Sequence, residues 1–225
     1  MTTSGTTAFN LDIMDLIEEA YERAGVEART GYDFRTARRS LNLIAAEWAN
    51  RGLNLWTIEQ GSQTVTQGTA TYTLPSDCID VIEVAVRLST NGQNTDYTID
   101  RIGVGDYASL PNKASQGRPV QYYVERLTSL TRYTLWPVPD QTYTILYWQM
   151  RRIEDAGAGT NTIDVPVRFV PCLAAGLAYH IAMKRPEATG RLQFLKGEYE
   201  EQFKLAADED RDRANLRLLP WVGYS

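Results

Sequence analysis

The sequence predicts an α+β protein in which N- and C-terminal helices form one bundle and an antiparallel β domain, a sandwich or small barrel, is inserted between them. Near both ends of the chain, apolar residues recur at helical spacing. Between them, short segments rich in β-branched and aromatic residues are separated by Gly, Pro and Asn. The 225 residues, 43% of them hydrophobic, suffice for one large domain or two small ones. We expect a helical hairpin over 1–52, the β domain over 53–156, further bundle helices over 157–210 and an extended tail over 211–225.

The first predicted helix has one apolar and one acidic face. We expect it to begin after an N-cap at Asn10 and to end near Ala24, because Gly25 readily adopts the left-handed conformation that stops a helix. Its apolar positions are Ile13, Met14, Ile17, Ala20, Tyr21 and Ala24. The opposite face carries Asp12, Asp15, Glu18, Glu19 and Glu22.

The second predicted helix runs from about Asp33 to Gly52 and completes a helical hairpin with the first. Its predicted buried stripe consists of Ala37, Leu41, Ile44, Ala45 and Trp48. Three arginines, Arg35, Arg38 and Arg39, lie outside that stripe.

In the middle of the chain the residue pattern favours strands. The predicted strands are 64–66, 71–74, 79–86, 97–102, 120–125, 132–136 and 143–150, and 104–110 is predicted as a short helix. Several short strands at this spacing are typical of a sandwich or a small barrel.

After residue 157 the helical period returns. A helix that starts near Pro166 and is apolar on most sides over 169–183 is predicted to lie at the centre of the core. Pro186 interrupts it, and an acidic amphipathic helix follows to about Asp210. The residues of this last helix predicted to face inward are Leu192, Leu195, Tyr199, Phe203 and Ala206.

Reactive side chains are few. The chain has one histidine, His180, and two cysteines, Cys78 and Cys172, far apart in sequence. A zinc site of Cys and His needs pairs at short spacing, which this set cannot supply. A Ser-His-Asp triad could use only His180, which lies in an apolar helical stretch. We expect both thiols to be buried small hydrophobes in a reducing compartment.

An acidic cluster near the end of the last helix has the spacing of the first calcium-loop ligands. It consists of Asp208, Asp210 and Asp212. Arg213 and Leu219 stand where such a loop needs its glycine and its final glutamate. We therefore predict a solvated helix end there. Because the sequence also offers no credible nucleophile–base pair, we expect no metal, no cofactor and no enzymatic activity.

The charge pattern favours ion pairing over the gripping of nucleic acid. The formal net charge is −5, and only four of the 23 basic residues are lysines. Arginine suits fixed ion pairs and interfaces, whereas a net negative charge disfavours strong binding to phosphates. No apolar run approaches the roughly 20 residues of a membrane helix, and the first residues lack the pattern of a secretory signal, so we expect neither.

Five segments, taken in order, carry a family resemblance. They are WANRGLNLW at 48–56, YTLPSD at 72–77, RPVQYY at 118–123, LWPVPD at 135–140 and YWQMRR at 147–152, followed by the long acidic helix. This series resembles the head-to-tail adaptor, or tail tubular, proteins of short-tailed bacteriophages. The resemblance implies a helical bundle with a β domain and a structural role without catalytic residues.

The resemblance also implies partners and a location. Such a protein is a virion component at the head–tail junction, assembled in the host cytoplasm, and forms a ring of usually twelve copies. The ring joins the portal protein to the tail nozzle or other tail proteins, and genomic double-stranded DNA passes through it without specific binding. Candidate acidic residues facing that channel are Glu198, Glu201 and Asp208. We expect no membrane partner.

The segment 211–225 mixes arginines with large apolar residues, and Pro220 and Gly223 make a continued helix unfavourable. Exposed apolar surface costs about 25 cal/mol per Å², so the segment either folds back on its own bundle or docks into another subunit. We predict docking to the portal. The candidate docking residues are Arg211, Arg213, Leu216, Arg217, Leu218, Leu219, Trp221 and Tyr224.

Aromatic residues of the β domain leave a second function open. They could form platforms on which sugars stack, which would make the chain a carbohydrate-binding module or a receptor-binding tail component. They could equally be core or protein interface. They are Trp56, Tyr72, Tyr97, Tyr107, Tyr122, Tyr123, Tyr133, Trp136, Tyr143, Tyr147 and Trp148.

Overall fold

The computed structural model, which describes residue 5 and residues 11–210 except 30, 53, 54 and 91, confirms the α+β fold class. Helices lie at both ends and a mostly antiparallel β domain lies between them in the sequence. The chain divides into two compact units. We call the part up to Leu55 together with the part from Asp155 onward the helical unit, and Trp56–Glu154 the β unit. The predicted tail, 211–225, lies outside the described residues.

The helices and strands follow in chain order. The helices are α1 (Ile13–Ala24), α2 (Gly31–Arg51), α3 (Val104–Ser109), α4 (Val170–Ala182) and α5 (Leu192–Glu209). The strands are β1 (Ile58–Val65), β2 (Thr71–Thr73), β3 (Cys78–Thr90), β4 (Gln93–Ile102), β5 (Gln116–Gly117), β6 (Gln121–Arg126), β7 (Thr131–Trp136), β8 (Val138–Pro139) and β9 (Tyr143–Arg151). Short 3-10 helices span Leu55–Thr57, Val167–Phe169 and Pro186–Arg191.

Helix α1 ends where the sequence predicts but begins later. Its N-cap is Asp12, whose carboxylate accepts the backbone N–H of Asp15 at 2.8 Å, so the predicted cap at Asn10 was wrong. At the other end Gly25 has φ +73° and donates its N–H to the Glu22 carbonyl. The left-handed backbone conformation costs glycine little free energy, which explains why α1 ends sharply at this residue.

The core of the helical unit surrounds α4. Most residues of α4 are buried, and α1, α2 and α5 all pack against it. The buried indole of Trp48 packs against Phe169 and Phe203, with ring centroids 5.4 and 6.0 Å away. Gly176 allows α5 to approach closely, because a Cβ there would lie 2.8 Å from the Tyr199 ring. The predicted central position of this helix is therefore correct.

The β unit contains one seven-stranded sheet in the order β1-β9-β3-β4-β6-β7-β2. Neighbouring strands are antiparallel except β4 and β6, which are parallel, and α3 lies between these two in the sequence. The two outer strands approach each other: Gln63 of β1 donates to the Thr73 carbonyl of β2 at 3.4 Å, and the Tyr72 hydroxyl accepts the Thr66 N–H at 2.8 Å. The sheet is thus a nearly closed, barrel-like structure.

The interior of this sheet is apolar and aromatic, and its buried residues include Val65, Val84, Val86, Tyr122, Tyr133, Leu135, Ile145 and Tyr147. Strand β1 begins at Ile58, six residues before the predicted start, because its first residues are mostly polar and lie on an outer strand. The two-residue strands β5 and β8 were also not predicted. Such short pairs have no periodicity to detect.

Candidate functional site

Two arginines connect α5 to the two N-terminal helices, one to α1 and the other to α2. Arg23 of α1 pairs with Glu19 at 2.7 Å and with Glu198 of α5 at 3.1 Å. Arg51 at the end of α2 pairs with Glu47 and, at 3.1 Å, with Glu200. Burial would lower the pKa of Arg51, but its hydrogen bonds with these two carboxylates outweigh burial and raise it. The predicted use of arginine for ion pairs holds here, since each guanidinium connects two helices.

A third arginine connects the ends of two helices. Arg185, just after α4, pairs with the buried carboxylate of Asp33 in the first turn of α2. The same carboxylate accepts the N–H of Arg29 at 3.1 Å, and the Tyr21 hydroxyl donates to the Asp33 carbonyl at 3.3 Å. This cluster fixes the start of α2 against α1 and the end of α4.

Asp208 at the end of α5 is exposed, as predicted for a solvated helix end, but the C-cap residue Asp210 is buried, so the prediction was wrong there. Asp210 is 4% exposed. Its carboxylate pairs with Arg168 and accepts the backbone N–H of Leu55 at 3.0 Å. The guanidinium and the backbone N–H replace the hydrogen bonds with water that the carboxylate loses on burial.

The predicted channel-facing carboxylates all lie on α5. Glu201 and Asp208 are exposed, whereas Glu198 is engaged by Arg23. Spacings of three, four and seven residues place the three on one stripe with two exposed apolar residues, Phe194 and Leu205. The stripe is therefore mixed in character and not purely acidic.

Two grooves of opposite charge lie at different ends of α4. The first, the acidic groove, has a volume of about 370 Å³ and is lined by Leu11, Asp15, Glu18, Glu19, Glu22, Arg23, Val170, Pro171 and Ala174. The second, the basic groove, has a volume of about 440 Å³ and is lined by Tyr21, Tyr32, Asp33, Thr36, Arg39, Leu43, Ile181, Lys184 and Arg185. They share no lining residue.

Of the eleven aromatic residues of the β unit, four lie in its core, six are half-buried and Tyr97 is exposed. Tyr122, Tyr133, Tyr143 and Tyr147 are buried. Among the partly exposed rings, Tyr107 and Tyr123 stack on each other with centroids 5.2 Å apart, and Lys113 lies over Tyr107.

The most exposed of these rings, Tyr97, is partly covered by the guanidinium of Arg118, 4.6 Å from its centroid. Sugar stacking requires ring faces that are open to the ligand. These rings instead contact one another or basic side chains of the same chain, so the carbohydrate-binding alternative gains no support.

The histidine is half-buried and the two cysteines are buried. Burial lowers the pKa of His180, and its Nε2 lies 4.0 Å from Glu47. Both cysteines are free and buried, and burial raises the pKa of Cys78 to about 11 and of Cys172 to about 12. Both thiols are therefore protonated at neutral pH, as expected of small apolar core residues.

The described residues contain neither a metal-binding cluster nor a membrane-spanning helix. Among them, no group of three or more His, Cys, Asp or Glu side chains is placed to hold a metal ion. No helix in this part of the chain is long and apolar enough to cross a membrane.

Sequence reasoning missed the long-range ion pairs Arg185–Asp33 and Arg168–Asp210, because their partners are 152 and 42 positions apart. The predicted docking residues Arg211, Arg213, Leu216, Arg217, Leu218, Leu219, Trp221 and Tyr224 all lie outside the described residues.

Comparison with known proteins gives one family. The family model described as SU10 adaptor protein matches residues 11–220, which include the whole β unit and most of the helical unit. No curated protein matches the chain.

Proposed function

The chain belongs to the SU10 adaptor protein family, and from this premise we propose that it is the ring-forming head-to-tail adaptor of a bacteriophage. Membership makes it a phage adaptor protein and hence a component of the virion. The finer role proposed here is that of a ring subunit, twelve copies to a ring, that joins the portal protein to the tail nozzle or other tail proteins. The observation that carries the proposal is the family match over nearly the whole chain.

Two features of the helical unit support a place in the wall of a ring. A subunit that transmits load between neighbours needs helices that do not slide past each other. Arginines that each contact two helices, such as Arg23 and Arg51, supply such cross-links. Large apolar side chains that remain exposed, among them Tyr32 at 61% and Leu43 at 60%, offer surface for neighbouring subunits.

The proposed role is structural and non-enzymatic. The family is one of adaptors, which favours assembly over catalysis. The protonated thiols of Cys78 and Cys172 are also poor nucleophiles at neutral pH.

We propose that genomic double-stranded DNA passes through the ring without specific binding. The net charge of −5 limits the number of counterions that binding could release. Exposed carboxylates such as Glu201 and Asp208 would repel phosphates if they face the channel. A mobility-shift assay at physiological salt should therefore give only weak, sequence-independent binding, and tight binding to one sequence would contradict the proposal.

The ring role is tested by mixing the purified chain with the portal protein of the same phage. Assembly is followed by mass measurement in solution and by electron microscopy of negatively stained particles. We expect a complex of cyclic symmetry in which the adaptor forms a ring on the portal. A complex with one adaptor per portal assembly, or no complex under any salt condition, would show that the chain is not a ring adaptor.

A further inference from the structure

The acidic groove contains carboxylates that no cation of the described residues compensates. Asp15, Glu18 and Glu22 lie along one face of α1, at spacings of three and four residues, and all three are exposed. Within the described residues, none of the three carboxylates has an ion-pair partner. By contrast Glu19, on the same helix, is paired with Arg23. Like charges at these spacings repel one another unless a cation lies nearby.

The basic groove has the opposite imbalance. Arg39 of α2 and Lys184 after α4 line it, and Arg35 and Arg38 are exposed on the same helix as Arg39. None of these four cations is paired with a carboxylate in the part of the chain that the structure describes. The pKa of Lys184 is lowered by burial and by the positive charge of Arg39, so the two cations repel each other. Lys184 instead donates to the Ser40 hydroxyl at 2.6 Å.

Apolar side chains accompany the charges in both grooves. Tyr32 and Leu43, which line the basic groove, are 61% and 60% exposed. Leu11 and Pro171 are exposed in the acidic groove. Protein interfaces combine such apolar contacts with complementary charges, whereas a surface that only contacts phosphates has no use for exposed leucine. This composition favours a protein partner over DNA.

We propose that the acidic groove of one copy and the basic groove of the next copy form the head-to-tail contact that builds the ring. The inference rests on the proposed ring function and specifies its interface. A ring requires two different surfaces on each subunit that do not overlap. The two grooves meet this requirement, because one lies beside Val170 at the start of α4 and the other beside Lys184 just after its end. Their opposite charges make each the complement of the other.

The test uses two charge-reversal variants of the full chain. The acid-reversed variant carries Glu18→Lys and Glu22→Lys, and the base-reversed variant carries Arg35→Glu and Arg39→Glu. When one variant is present alone, like charges face each other across every interface, which is strongly unfavourable. We therefore expect the fraction of ring formed on portal to fall at least about tenfold. Mixed in equal amounts, the two variants should assemble again, because acid-reversed and base-reversed subunits can alternate around a ring with an even number of copies.

A third variant with all four substitutions should also assemble by itself, because its reversed surfaces complement each other. The matched control carries Lys196→Glu and Lys204→Glu, which change the net charge as much as the base-reversed variant does, at exposed α5 positions outside both grooves. It should form rings as the wild type does. Circular dichroism melting shows that every variant is folded, and the recovery in the mixture is a second check on folding.

The possible outcomes distinguish a failure of the proposed interface from a failure of the proposed ring function. Rings that persist in both variants, or a mixture that fails to recover while the wild type assembles, would overturn the interface. Loss of DNA binding in the base-reversed variant with rings unchanged would assign the basic groove to DNA instead. If the wild type forms open chains of copies that the single reversals abolish, the interface holds and the ring function fails. A wild type that stays monomeric at high concentration, with and without portal, would overturn both.

Discussion

The indole N–H of Trp48 in α2 donates a hydrogen bond of 2.9 Å to the hydroxyl of Tyr199 in α5, across 151 positions in the sequence. Both side chains are buried. The Tyr199 hydroxyl in turn donates to Glu47 at 3.2 Å, and Arg51 lies over the Tyr199 ring. A chain of polar groups thus runs from the core of the helical unit to its surface and fixes how α2 and α5 pack, because each member satisfies the next.

The first prediction concerns this chain of hydrogen bonds. Tyr199→Phe removes the acceptor of the Trp48 N–H and leaves a buried donor unsatisfied, which typically costs about 1–3 kcal/mol. We expect the free energy of unfolding of the full chain, measured in urea, to fall by about that amount. Tyr32→Phe makes the same chemical change at an exposed position of α2 and should alter stability by less than about 0.5 kcal/mol. Equal effects of the two substitutions would show that the hydrogen bond contributes nothing.

The second prediction concerns the closure of the barrel-like sheet. The buried hydroxyl of Tyr133 on β7 donates to the side-chain oxygen of Gln63 on β1 at 2.9 Å. Gln63 also donates to the Thr73 carbonyl of β2, so one side chain joins the two outer strands. Gln63→Ala should destabilise the β unit by about 1–3 kcal/mol, because it leaves the Tyr133 hydroxyl without its partner.

Gln60 offers the matched control for this experiment, since it lies on the same strand and is exposed. Gln60→Ala should change the free energy of unfolding by less than about 0.5 kcal/mol. Hydrogen exchange of the β1 and β2 amides localises the effect: faster exchange in both strands of Gln63→Ala is expected, and unchanged exchange in β2 would contradict a bridging role.

The helical stripes could be predicted from the sequence because local spacing determines them. Ala37, Leu41, Ile44 and Trp48 recur at helical spacing and are all buried. What Trp48 bonds to could not be predicted, since Tyr199 approaches only once α4 and α5 have packed. The same limit applies to Asp210. A cluster of acidic residues predicts a solvated segment, and only folding brings Arg168, 42 positions earlier, beside this carboxylate. The two grooves also arise from this packing, because each combines residues of α4 or its flank with residues of α1 or α2.

The third prediction concerns pH. Burial lowers the pKa of His180 from its ordinary value of 6.5, so the unfolded chain holds a proton on this side chain at pH values where the folded chain does not. The free energy of unfolding should therefore fall as the pH drops below 6.5 toward the folded-state pKa. His180→Gln should remove this part of the pH dependence. His180 is the only histidine, so the difference between the two proteins, measured by urea unfolding from pH 7.5 to 5, reports on it alone. Identical pH profiles would contradict the prediction.

The last prediction concerns residues 211–225, which lie outside the described residues and which we propose as the segment that docks to the portal. The observed position of Asp210 guides the design of the truncation, because its carboxylate holds Arg168 and the Leu55 N–H and must be kept. A chain ending at residue 212 keeps it and places the new terminal carboxylate two residues away. We expect this chain to melt within a few degrees of the full-length protein and to lose attachment to portal in a pull-down, because Arg213, Arg217 and the large apolar residues of the segment are gone. Trp221→Ala in the full chain should weaken attachment about tenfold or more, as the loss of a buried aromatic anchor does, and Trp221→Phe, which keeps a large ring, should weaken it less. If the shortened chain unfolds, the segment belongs to the bundle, and if it still binds portal with full affinity, docking occurs elsewhere.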